Sequence, residues 1–331
     1  MEQSASRVQR MLTKVHPLWV KLVVSLAFLL LPFATAYLDG LLDDFMREGQ
    51  WRFLLLSPVI ILYIWFISPA MSRGEAEVVR SFRPLVTLDD EAFDNLVVQE
   101  SRVNPRNEWL ALGAGAVLGL ISAQASGFDL GISWLGFYWY ISLALMYGLL
   151  AWVILGSVAT TRLNAALHRL PLSVDILNPA QFEAVGRQSL ILALVFIGGI
   201  TLSLLLSFQP GNISEPSFWV TYLLLVLAVL LIFFLNMRPS HRVLTAAKQR
   251  ELEPLQRKIN ASCRELAQHL ERKQETGSLP AEINALVAYE QRLRAARTWP
   301  YNTTILRTLF FSVLIPLGSV MVRQLVEAFL R

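Results

Sequence analysis

The chain has 331 residues, of which 54% are hydrophobic and 16% charged. A soluble globular domain carries about 25% charged residues, so this balance, with a positive mean hydropathy, excludes an ordinary soluble domain and points to lipid as the main solvent. The net charge of +4 is too unevenly spread to be a nucleic-acid footprint, and a single cysteine, Cys263, excludes an internal disulfide framework.

A bilayer core of about 30 Å needs about 20 helical residues. Six apolar segments meet that need: 18–38, 52–71, 108–126, 135–160, 188–208 and 217–237. The first is too long for a secretory signal and lacks a small-residue cleavage site before Asp39, so it is expected to be a membrane helix. A seventh candidate, 303–330, is uncharged only from Thr308 to Val322 and is expected to span or to re-enter.

Lys and Arg concentrate in loops that stay in the cytoplasm. The N-terminal segment (with Lys21 at the start of helix one), the segments between helices two and three and between four and five, and the stretch from Arg238 through Arg307 hold 25 of the 29 basic residues, while the opposite loops carry Asp39, Asp43, Asp44, Glu48, Asp129 and Glu215. The expected topology is therefore multi-pass in the plasma (inner) membrane with a cytoplasmic N-terminus. Trp19, Trp51, Trp109, Trp134, Trp139, Trp219 and Trp299 fall near expected helix ends, where the membrane interface suits them. His16, His168, His241 and His269 all fall on the expected cytoplasmic side.

The segments between the apolar runs read as structured. Residues 74–103 are expected to be helical, with Thr87-Leu-Asp-Asp as a cap ahead of Phe93, Leu96 and Val97. Asp89, Asp90, Glu91 and Asp94 lack the alternating ligands and glycine of a calcium loop, so they read as a solvated helix start. In 163–187 a short helix precedes Leu-Pro-Leu, and Asn178-Pro179 marks a fresh start. Arg187 and Gln188 either reach lipid headgroups or anchor that helix end. Residues 241–298 are expected to form a helical hairpin. Leu252, Leu255, Ile259, Cys263, Leu266 and Leu270 form one stripe, Thr276-Gly-Ser-Leu-Pro280 a break, and Ile283, Leu286, Val287 and Leu293 a second stripe. Pro254 is expected to kink or restart the first arm, and Cys263 to sit in the core. The hairpin is a candidate stalk or oligomer contact.

Candidate site residues are few. No Asp, Glu, Lys, Arg or His lies in the interior of helices two to six, which argues against a proton relay and against an intramembrane metal centre. Gly115, Gly119, Ser122 and Ser126 share one face of helix three, and Gly198-Gly199 lies in helix five as a packing site or a hinge; small residues there let helices approach closely. In the last helix Thr308, Ser312, Pro316, Ser319, Arg323 and Glu327 fall on one face about 100° wide. This polar stripe either lines a water-filled path on an oligomer axis or packs with its hydroxyls bonded to the backbone. Phosphate-loop, nucleophile-elbow, HExxH and paired CxxC signatures are missing, so neither enzyme activity, cofactor nor metal is expected. Asn212-Ile-Ser214 and Asn302-Thr-Thr304 fit the glycosylation pattern, the second on the wrong side for use.

Three stretches, Pro171 through Leu190, Asn236-Met-Arg-Pro-Ser-His-Arg242 and Trp299-Pro-Tyr-Asn302, resemble parts of bacterial polytopic membrane proteins, and that resemblance carries no function. The order of elements (cytoplasmic N-terminus, a sixth helix running into a cytoplasmic bundle, then a last membrane helix) is similar to that of insect odorant and gustatory receptors. That layout implies a tetrameric cation channel, with the last helix at the pore and the cytoplasmic bundle as anchor.

The expected fold is thus an all-α polytopic transmembrane bundle of six to seven helices with a cytoplasmic helical extension. Residues 1–237 form the bundle, 238–300 the hairpin anchor and 301–331 the final spanning or re-entrant helix. The leading functional expectation is a homo-oligomeric ion channel. A membrane-bound sensor or interaction subunit that recruits a cytoplasmic protein stands second, and a lipid-acting enzyme last.

Overall fold

A computed structural model describes residues 17–47, 51–101, 103–125, 133–172, 174–177, 180–207, 216–272, 275–314 and 318. They form helices α1 (Leu18–Leu38), α2 (Leu42–Arg47), α3 (Trp51–Phe82), α4 (Asp90–Ser101), α5 (Pro105–Ala125), α6 (Trp134–Leu167), α7 (Ala180–Ser207), α8 (Pro216–Glu271), α9 (Leu279–Ala295) and α10 (Thr303–Leu314). No strand occurs among the described residues, and Val86 and Leu172 meet in one isolated antiparallel bridge. Six of the helices are long and apolar enough to cross a membrane.

Local chemistry explains where the helices stop. Gly40 adopts φ 70° just past α1, where its N–H reaches the Tyr37 carbonyl and the Leu41 N–H reaches Ala36. That left-handed turn closes the helix and suits glycine, which has no Cβ to clash. The same corner fixes α6. The Asp39 carboxylate accepts from the Trp134 N–H at 3.2 Å and the Leu135 N–H at 2.7 Å, and Ser133 Oγ accepts from Gly136 N–H at 3.0 Å. Free N–H groups at a helix start favour such acceptors. Asp39→Ala is expected to cost about 1 kcal/mol, read as a lower unfolding midpoint in detergent; an unchanged midpoint would show that Ser133 suffices.

Several helices are longer than their apolar runs. α3 has 32 residues and α8 has 56, about 48 and 84 Å at 1.5 Å per residue. Pro239 and Pro254 both lie inside α8. No fresh start occurs at Pro254: the helix runs on through it, as it does past residue 237. The hairpin itself is present. α9 folds back on α8 after Gly277, with Lys258–Glu282 at 3.1 Å and Gln256 donating to Glu290 at 3.0 Å.

Three apolar clusters hold the chain. The first joins α3, α6 and α1 around Leu54, Ile60, Ile64, Leu135, Leu143 and Met146. A second joins α7, α8 and α10 through Ala193, Ile197, Phe233, Met237, Ile305 and Leu309. The third lies past the ends of the apolar runs, where Phe82, Phe93, Leu167, Ile176, Phe182, Leu244 and Leu293 are fully buried or nearly so. Phe93 and Val97 turn into this third core as the stripe of α4 predicts, while Trp139, expected at an interface, is buried in the first. The outer faces stay apolar: α1 exposes Leu22, Val23, Leu26 and Leu30, α5 exposes Leu110, Val117, Leu118 and Ile121, and α8 exposes Leu223, Leu224, Leu227 and Leu231.

Candidate functional site

The small-residue positions bring backbones together. A Cβ at Gly115 would meet Tyr147 O and lie 2.8 Å from Gly148 Cα; one at Gly119 would meet Leu143 O and lie 2.8 Å from Ala144 Cα. Ser122 shares a hydrogen bond with Tyr147 at 3.2 Å across the same seam. A Cβ at Gly198 would strike the Tyr63 hydroxyl, which donates to Val195 O at 3.0 Å, and Gly199 touches the same ring more loosely. Ser126 lies outside the described residues.

The last helix is described only in part. Ile305 and Leu309 are buried against α7 and α8, and Thr308 points outward, exposed. Ser312 Oγ donates to Leu309 O at 2.7 Å, so that hydroxyl is satisfied by its own backbone. Pro316, Ser319, Arg323 and Glu327 lie outside the described residues, as do Asn178 and Pro179.

On the hairpin, Leu255 is buried, and Leu252, Ile259 and Leu286 pack against the third core. Leu266 and Ile283 are half-buried, but Leu270 is 63% exposed and the Cys263 thiol is exposed rather than in the core. The apolar stripe of α8 therefore loses its cover toward the tip, where the short α9 no longer follows it.

Where the apolar runs end, the structure builds a feature that spacing alone does not reveal. Asn164 and His168 stand one turn apart on α6, Asn236 and Ser240 one turn apart on α8, and Gln188 and Ser189 face them from α7. All six are buried, Ser240 completely. Asn164 Nδ2 donates to Gln188 Oε1 at 3.0 Å. His168 Nδ1 lies 2.5 Å from Asn164 O, and its Nε2 lies 2.5 Å from Ser240 Oγ. A carbonyl only accepts, so Nδ1 carries the proton, Nε2 is the acceptor and the Ser240 hydroxyl donates to it. Phe82 and Phe182 enclose the ring at 4.8 and 6.0 Å between centroids. Burial pushes the imidazole down to about 4, so it is neutral near pH 7.

By helical register Ser189 and Asn236 fall at one level, since Ala193 and Phe233, one turn further on, share the second core. Asn164 Oδ1, Ser189 Oγ and both amide atoms of Asn236 have no hydrogen-bond partner among the described residues. Such groups are costly to bury, and these four atoms belong to one layer. Gln188 accordingly does not face headgroups, whereas Arg187 beside it is exposed and pairs with Glu77 at 2.5 Å.

The layer also collects the three stretches singled out in the sequence. His168 on α6 binds Ser240 of the second stretch and lies against Phe182 of the first. Next to it, His241 stacks on Trp299 of the third at 4.1 Å and 10°, with Nδ1 3.1 Å from Thr298 O. A Cβ at Gly186 would strike Pro300 O, so only glycine lets that connection cross α7. Among the described residues no group of three His, Cys, Asp or Glu could hold a metal ion. The acidic start of α4 is exposed, with Asp90 paired to Arg83. Compared with protein families, curated proteins and solved structures, the chain matches none.

Proposed function

We propose that the chain is a multi-pass inner-membrane protein with a cytoplasmic N-terminus, and that it works as a sensor or interaction subunit whose cytoplasmic hairpin recruits a protein partner. The carrying observation is α8, one unbroken helix from the apolar bundle to the hairpin tip. A continuous helix held at a polar layer carries a tilt or shift of the bundle to whatever the hairpin holds. The membrane part of the reading is supported by the apolar outer faces of α1, α5 and α8, far larger together than a soluble monomer tolerates. The orientation is supported by the placement of Lys and Arg.

A perturbation of the clamp tests the coupling. Ser240→Val removes the donor to His168, and it is expected to raise hydrogen exchange of α9 amides by about tenfold or more while leaving α5 unchanged. An effect confined to the neighbours of residue 240 contradicts transmission through α8.

The channel reading stands second, favoured by the exposed Thr304 and Thr308 on the face of α10 that its own bundle leaves uncovered. Homo-oligomer formation around that face would place the hydroxyls along a path. Thr308→Leu with Ser312→Leu is then expected to abolish conductance in planar bilayers, and unchanged conductance removes the pore assignment.

A further inference from the structure

Beside the polar layer lies an open groove of about 800 Å³ whose lining includes His168. Its floor is apolar, built from Leu170, Leu172, Val174, Val243 and Ala247, all half-buried and packed on the third core. Two guanidinium groups, Arg169 and Arg250, stand at its rim, both exposed and without an ion-pair partner among the described residues. Among the residues that line it, Glu251 is the one carboxylate, and it accepts from the Tyr289 hydroxyl at 3.2 Å.

Resting on the membrane reading above, we propose that this groove is the docking site for an acidic amphipathic helix of the cytoplasmic partner. Apolar side chains of such a helix fill the floor, and its carboxylates meet Arg169 and Arg250, each able to form two parallel hydrogen bonds to one carboxylate. Anionic lipid is the rival source of negative charge, and the length of α8 argues against it. Arg250 stands 13 residues beyond Met237, where the apolar run ends, about 20 Å along the rod. Headgroups extend only about 5–8 Å past the hydrocarbon core. The outer half of the groove therefore stands clear of lipid, within reach of a protein.

Fluorescence polarisation with the full-length protein in phosphatidylcholine nanodiscs tests this. The probe is a labelled synthetic helix with leucine on one face and glutamate on the other; its twin carries lysine in place of glutamate. The acidic helix is expected to bind, and Arg169→Glu with Arg250→Glu is expected to weaken it about tenfold or more. Ala246→Trp, which fills the groove without changing charge, is expected to weaken it as well. Equal binding of the lysine twin, or binding indifferent to both variants, overturns the proposal. Arginine-dependent binding of phosphatidylglycerol vesicles without binding of the acidic helix overturns it in favour of lipid. Because the measurement does not depend on which side the hairpin faces, its failure is distinguishable from failure of the topology.

Discussion

Gly119→Ala is expected to unseat α5 from α6, whereas Gly113→Ala, on another face of the same helix, should be harmless or mildly stabilising. The two substitutions add the same methyl group and gain the same helix propensity, about 1 kcal/mol. They differ in what that methyl meets. At Gly113 nothing lies within 4 Å; at Gly119 the nearest atoms are Leu143 O, Leu143 C and Ala144 Cα, all of them backbone. A side chain can rotate away from a clash, but a helix backbone has to translate, and overpacking of this kind costs about 1–3 kcal/mol or more. The α5 seam is made of such contacts, with Gly115 against Gly148 and Gly148 in turn against Leu112 O. Titrating each variant with sodium dodecyl sulfate should place the Gly119 variant at least about 2 kcal/mol below the Gly113 variant. Equal midpoints would show that α5 is not held by close backbone approach.

Lowering the pH should destabilise the protein through His168, over a defined window. The folded-state imidazole titrates near 4 against an ordinary 6.5 because burial disfavours its charged form. Above pH 6.5 the ring is neutral whether the chain is folded or not, and the stability is fully present. As the pH falls from 6.5 to 4 the unfolded chain takes up the proton and the folded chain does not, so stability is lost. Below 4 both forms are charged and the loss stops. The full drop is about 3 kcal/mol, at about 1.4 kcal/mol for each tenfold difference in proton affinity. His168→Gln keeps a polar side chain with nothing to titrate, and it should remove that part of the pH dependence when unfolding midpoints at pH 7 and pH 4.5 are compared. A variant with the wild-type pH dependence would place the titrating group elsewhere.

The helices were legible because long apolar runs mark themselves in a sequence, and α1, α5 and the start of α6 follow their apolar runs closely. What lies past the runs was less legible. α3 continues through Ser72 to Phe82 and α8 through Pro239 and Pro254 because tertiary contacts along the third core hold them there, and a proline in a long helix bends more than it breaks when its neighbours are packed. The polar layer was hidden for a different reason. Asn164, Gln188, Asn236 and Ser240 are uncharged, so they do not interrupt an apolar run, and they come from three helices whose register a single sequence does not fix. The only signal was their crowding near helix ends with His168 and His241. Cys263 and Leu270 failed in the opposite direction: the periodicity of α8 marks an apolar face, but a face is buried only as far as its partner helix extends.

The orientation of the hairpin is the claim on which the functional reading stands, and the protein carries its own probe for it. Cys263 is its sole cysteine and is exposed; it lies 26 residues beyond Met237 on α8, about 39 Å past the end of the apolar run. A membrane-impermeant maleimide applied to intact spheroplasts and to inverted membrane vesicles therefore reports directly which side α8 and α9 occupy. Labelling in inverted vesicles with none in spheroplasts is the predicted result. Labelling in spheroplasts would place the hairpin outside, reverse the topology and remove the cytoplasmic partner from the account.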